Sequence, residues 1–142
     1  MRKDIFDMIA SNRFCVLATA AGDAPHCSLM SYACSDDGRE LYMATRKSTK
    51  KYDNLKKNPT VSLLVDSRQT ENARPLRALT MTGTYLGAYP ASERADLRKR
   101  LIERHPELGS FIDDARTEIV VIKIRALQLL DGVLDAYYEE VP

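Results

Sequence analysis

A chain of 142 residues with a net charge of +1 has room for one domain with a substantial core. It has no global basic field to hold nucleic acid. Hydrophobic residues make up 44% and charged residues 29%, the balance of a globular protein, and no run approaches the ~18 apolar residues of a membrane span. The three cysteines, Cys15, Cys27 and Cys34, are odd in number and lack metal-site spacing, and Asp4 and Asp7 stand where a signal peptide would begin. Together these features point to reduced thiols and a cytoplasmic protein.

In chain order, residues 3–11 read as a short amphipathic helix with Ile5, Phe6 and Ile9 on one side. Residues 14–19 form a strand whose unbroken apolar run predicts cover on both faces. Ala21, Gly22 and Asp23 make a turn, residues 25–33 the next strand, and Ser35, Asp36, Asp37 and Gly38 a hairpin into a strand at Leu41.

The stretch 41–65 organises the rest. It runs strand, basic hydroxyl-rich turn, short helix, strand. Ser48 or Thr49 can cap the helix by accepting from the free N–H groups of its first turn, and Asn58 with Pro59 stops it. Six of the twelve residues from 46 to 57 are basic and one is acidic. A helix start flanked by two hydroxyls, Lys50 and Lys51 is suited to a phosphate, and a solvated basic turn is the plainer alternative.

Residues 66–75 are a polar loop containing Arg68, Asn72 and Arg74, with Arg77 just beyond. Residues 76–89 hold a long strand with alternating Thr80, Thr82 and Thr84, where Gly83 predicts a bulge or a close backbone approach. Residues 90–105 read as a helix capped by Ser92, with Leu97, Leu101 and Ile102 as its inner stripe, ended by Pro106. Residues 108–112 allow one more helical turn. Residues 118–124 and 126–133 read as two successive strands, and 135–142 as an acidic tail with Tyr137 and Tyr138. Seven strands in hairpins and three helices predict a mainly β fold, an antiparallel barrel with peripheral helices, as one domain over 1–142.

No nucleophile–base constellation or metal pattern stands out. His26 and His105 read as structural residues, Cys27 as a small apolar residue, and Asp36 and Asp37 as turn residues. Tyr32 and Tyr42 fit either a pocket lining or the barrel wall.

Thr45, then Thr49, Lys50 and Lys51, then Asn54 and Leu55, then Asn58, Pro59, Thr60 and Val61, form an ordered set. This set resembles the pyridoxamine 5′-phosphate oxidase-like flavoproteins, and the resemblance runs from about Phe14 to Val133. It implies an FMN-binding split β-barrel and a homodimer with FMN at the interface. By position it implies phosphate contacts from Thr49, Lys50 and Lys51, with Thr45 under the flavin and Arg46 assisting. It also implies that Ser28, Leu29, Met30 and Ser31 follow the ring edge through backbone groups, and that Arg77 reaches flavin from the partner subunit. Ser28 stands where the oxidase commonly has a basic residue. The tail carrying Glu139 and Glu140 lacks the oxidase's basic motif for its phosphorylated product, which argues against pyridoxamine phosphate oxidation. The expected function is a flavin-dependent oxidoreductase acting on a small molecule, with a non-enzymatic FMN electron carrier or redox sensor as the alternative. Related split barrels also bind haem or a deazaflavin, and the stretch 104–108 around His105 resembles haem-handling relatives. The residue run 119–124 is expected to need a partner subunit to cover it.

Overall fold

The computed structural model describes residues 1–68 and 76–142. Its elements are α1 (Lys3–Ser11), β1 (Phe14–Ala21), β2 (Ala24–Ser31), β3 (Ala33–Cys34) and β4 (Glu40–Arg46). They continue with α2 (Lys50–Lys57), β5 (Thr60–Asp66), β6 (Arg77–Tyr85), α3 (Ala91–Arg104), a 3₁₀ turn (Pro106–Leu108), α4 (Gly109–Asp113), β7 (Thr117–Asp131) and β8 (Asp135–Glu140). Every strand pairing is antiparallel, in the order β2-β1-β5-β6-β7-β4-β3, and β8 joins β7. The sheet curls into a half-barrel: hairpin spacing predicted the antiparallel barrel, and the family resemblance implied that it is split. No helix among the described residues is long and apolar enough to cross a membrane.

The two strands expected over 118–133 are one, β7, with 15 residues. Length lets it serve three neighbours. Along one edge it pairs with β6, and along the other first with β4 and then with β8. The expected acidic tail is therefore largely the eighth strand. Its apolar run is covered within the chain: Val120, Ile122 and Ile124 join the barrel core, while Ile119 and Val121 pack in a second cluster with Leu97, Leu101 and Ile112. The expectation that a partner must cover this run is corrected by α3 and α4, which do so.

The reverse correction applies to β1. Cys15, Leu17 and Thr19 face inward, but Phe14 is exposed and Val16 and Ala18 are only half-buried. Alternation of side chains puts every second residue on the outer face, which no helix or strand among the described residues covers.

The helix starts also sort themselves. Thr49 caps α2 by accepting from the Tyr52 N–H at 3.4 Å, and Asn58 ends it in extended backbone. Ser92 does not cap α3. The helix begins one residue earlier at Ala91, with Pro90 at the cap position and no side-chain bond there. Gly83 fulfils both expectations. The β6–β7 register shifts between Thr82 and Gly83, and a Cβ at Gly83 would lie 2.6 Å from Ile122 Cγ2. Part of the predicted loop over 66–75 is the end of β5 and the residues after it. Asn72 and Arg74 lie outside the described residues.

Candidate functional site

The organising stretch folds as β4, turn, α2, β5. Leu55 is buried at 1% exposure under α2, a burial worth roughly 1.5–3 kcal/mol relative to exposure. Asn54, fully buried, donates from Nδ2 to Thr19 Oγ1 at 3.1 Å and ties the helix to β1. These anchors fix where the N-terminus of α2 points.

The turn before α2 is knit by hydroxyls. Thr49 Oγ1 donates to the Arg46 carbonyl at 2.9 Å and lies 3.0 Å from Thr45 Oγ1. The Lys47 N–H donates to the Arg116 carbonyl at 2.8 Å, joining the turn to the start of β7. Tyr52 and Asp53 donate their N–H groups to Thr49, whereas those of Lys50 and Lys51 have no acceptor among the described residues. Neither lysine has an acidic partner there either. Lys56 lies over the Tyr52 ring, and Lys57 pairs with Asp53 at 3.0 Å. The positive end of the helix dipole and the Lys51 ammonium are thus left without an ion-pair partner at one end of α2, while Asp53, held low chiefly by Lys57, also feels the charge of Lys50.

In front of this end lies an open cleft of about 340 Å³ lined by Leu29, Met30, Ser31, Ala44, Thr45, Arg46, Thr49, Lys51, Leu108 and Phe111. Seven of the ten residues named from sequence meet here, contributed by β2, β4 and the start of α2. Ser28, Lys50 and Arg77 do not line it. Ser28 pairs with Leu17 in the β1–β2 ladder, and Lys50 is exposed beside the cleft. Arg77 bonds Asp4 of α1 at 3.4 Å, so within this chain it is engaged elsewhere. Because β2 is the edge of the sheet, its outer backbone groups have no strand partner. Tyr32 and Tyr42 are barrel-wall residues: the Tyr32 hydroxyl donates to the Ile9 carbonyl at 2.5 Å and that of Tyr42 to Glu40 at 3.0 Å.

Sequence reasoning missed Ala44, Leu108 and Phe111. Nothing in a local pattern ties 108–111 to residue 46, yet the fold stacks them: the Arg46 guanidinium lies 4.6 Å from the centre of the Phe111 ring. The same guanidinium donates to Thr117 Oγ1 and pairs with Asp114, both at 3.0 Å. Hydrogen bonds from Arg116, with the charge of Arg46 beside it, hold the Asp114 carboxyl well below its usual range. Arg46 therefore reaches the cleft with its guanidinium oriented by Asp114, a carboxylate it shares with Arg116.

Two other sequence candidates resolve differently. His105 is 1% exposed, with Nε2 2.9 Å from the Tyr32 carbonyl and Nδ1 3.6 Å from Glu107. Cys27 is exposed on β2 and does not fill the core. Among the described residues no cluster of His, Cys, Asp and Glu is arranged to hold a metal ion.

A curled antiparallel half-barrel with a cleft running from an edge strand to a basic helix start defines a split-barrel protein. The sequence profile of the pyridoxamine 5′-phosphate oxidase family matches residues 1–131, and the chain belongs to that family. No curated protein sequence matches it. Among solved structures it is similar to a haem-binding protein from Mycobacterium smegmatis, with 15% identity and a TM-score of 0.84 over 97% of this chain and 57% of that one. The chain therefore spans little more than half of that relative. It is similar over more of the partner's length to an FAD-binding protein from Mesorhizobium loti, with 20% identity, a TM-score of 0.74, and 91% and 94% of the two chains covered. A putative pyridoxamine 5′-phosphate oxidase from Listeria innocua gives 19% identity, a TM-score of 0.71, and 91% and 97% coverage. At these identities the likeness is one of fold.

Proposed function

We propose that the chain is an FMN-binding oxidoreductase, working as a homodimer on a small molecule. The observation that carries the reading is the pairing, in one cleft, of unmatched positive charge with an apolar lining. Lys51, two free N–H groups and the threonine turn suit a phosphate dianion, and Leu29, Met30, Ala44, Leu108 and Phe111 suit a flat ring. Lys51 and the α2 start would hold the phosphate, with Lys50 adding charge from beside the cleft. The exposed β2 edge would meet the polar rim of the ring through backbone groups. A bound flavin supplies the hydride and electron chemistry, so the protein needs to bind, orient and shield rather than provide its own nucleophile.

The dimer reading rests on the outer face of β1. Leu29, Val16 and Leu64 sit opposite one another across β2, β1 and β5, and Leu29 is 73% exposed, Leu64 37% and Phe14 40%. This apolar row begins at the cleft, so a second copy laid over it would also close the site. The flavin reading is preferred to haem because His105 is enclosed and its Nε2 is occupied by the Tyr32 carbonyl, leaving no approach for an iron.

The deciding measurement is an absorption spectrum and flavin titration of purified protein. Flavin, deazaflavin and haem absorb differently, and an absence of FMN binding removes the reading. Turnover of reduced nicotinamide with an added acceptor then separates an enzyme from a carrier.

A further inference from the structure

Arg46 was expected beside the phosphate, and its guanidinium engages three neighbours: Asp114 and Thr117 through Nη1, and the face of Phe111. These neighbours belong to the segment that follows α3. Here α4 is five residues long, too short to hold its shape alone. It is tethered from both sides. From α3, Arg98 makes a two-pronged contact with Asp113 at 2.6 and 2.8 Å, and Arg94 donates to the Ile112 carbonyl at 2.8 Å. From β4, Arg46 holds the same C-terminal end through Asp114 and covers one face of Phe111. The result is a short helix braced as a wall, presenting Leu108 and Phe111 to the cleft.

We infer that Phe111 is the residue of this wall that sets affinity for the ring of the ligand, and that Arg46 is a positioning residue acting through Phe111. Arg46 is not an anion ligand. A guanidinium suits this task better than an ammonium, because it is flat, stacks on an aromatic face, and can bond a carboxylate and a hydroxyl at once. Its Nη1 is held by Asp114 and Thr117 and its plane by the Phe111 ring, so its orientation is set by the wall, although Asp114 is shared with Arg116 and does not neutralise it. Lys51, unmatched, is the anion contact. The inference rests on the flavin reading above for its binding arm and stands independently of it in its structural arm.

The structural arm uses the absence of tryptophan from the sequence. Phe111→Trp places the sole tryptophan in the wall, excited selectively at the red edge where the tyrosines do not absorb. Arg46→Met in that background should raise acrylamide quenching about twofold or more, as the ring loses its cover. Unchanged quenching, with the fold intact by circular dichroism, overturns the inference. The binding arm titrates FMN and riboflavin. Phe111→Ala should weaken both by about two- to tenfold, the worth of an aromatic contact. Arg46→Met should weaken both to a similar degree and add little in the Phe111→Ala background. Loss of FMN with riboflavin spared would make Arg46 an anion ligand, and additive losses would give it its own contact to the ring. Either result overturns the inference, as does riboflavin binding that ignores Phe111→Ala. If the wild-type protein binds no flavin, the flavin reading falls and the quenching result alone decides the role of Arg46.

Discussion

Replacing Lys51 by alanine tests the proposed phosphate site directly. Lys51 lines the cleft and has no acidic partner among the described residues. Lys57, in the last turn of the same helix, is 63% exposed and paired with Asp53. Losing one charge-assisted contact to a phosphate costs roughly 1.5–3 kcal/mol, about ten- to a hundredfold in affinity. Lys51 is half-buried at an open cleft, where salt screens part of its charge, so the loss should fall near tenfold. Lys57→Ala removes a screened and already matched charge and should change FMN affinity by less than about twofold. Riboflavin lacks the phosphate and should not respond to Lys51→Ala. The assay is flavin fluorescence quenching in low and moderate salt, where the Lys51 effect should shrink as salt rises. Equal losses for Lys51→Ala and Lys57→Ala would mean a diffuse basic surface, and an equal loss for riboflavin would mean that Lys51 acts on the fold or the ring.

Gly83→Val should destabilise by roughly 1–3 kcal/mol or more, because its side chain must enter space held by Ile122 and the Lys123 carbonyl; a thermal melt unchanged from wild type would sink the close-approach argument. Thr49→Ala removes the α2 cap and should lower stability by about 1 kcal/mol while weakening FMN more than riboflavin, read by denaturant unfolding and titration. Burial pushes the Cys15 thiol up to about 12 from 9.0, so the folded chain retains a proton that the unfolded chain releases above pH 9. Stability should therefore fall as pH rises from 9 towards 12, and Cys15→Ala should flatten part of that slope, with Tyr85, also raised to about 12, contributing to the remainder. Light scattering at micromolar protein should give a dimer mass, and Leu29→Asp should shift it towards monomer; a wild-type monomer would refute the reading of the β1 face.

The residues that define the α2 start were legible in the sequence because their roles are local. A hydroxyl caps the next turn, Asn58 and Pro59 stop the helix, and unmatched lysines gather at its positive end; each depends on neighbours within a few positions. The same holds for Gly83, since a glycine inside an apolar strand already implies that something passes close by. What escaped depended on distance along the chain. Periodicity could not tell that residues 117–131 run as one strand, because its continuity is set by three partners brought from elsewhere. Nor could it tell which apolar runs lie covered: α3 and α4 bury the face of β7 that looked too large, while no element among the described residues covers the outer face of β1. Arg46 shows the limit most clearly. Sequence places a cation beside a hydroxyl-rich turn, but the groups its guanidinium meets, Asp114, Thr117 and Phe111, lie about 65 residues or more away. Charge and hydrogen bonding are short-ranged in space, and only the folded chain sets which groups come within that range.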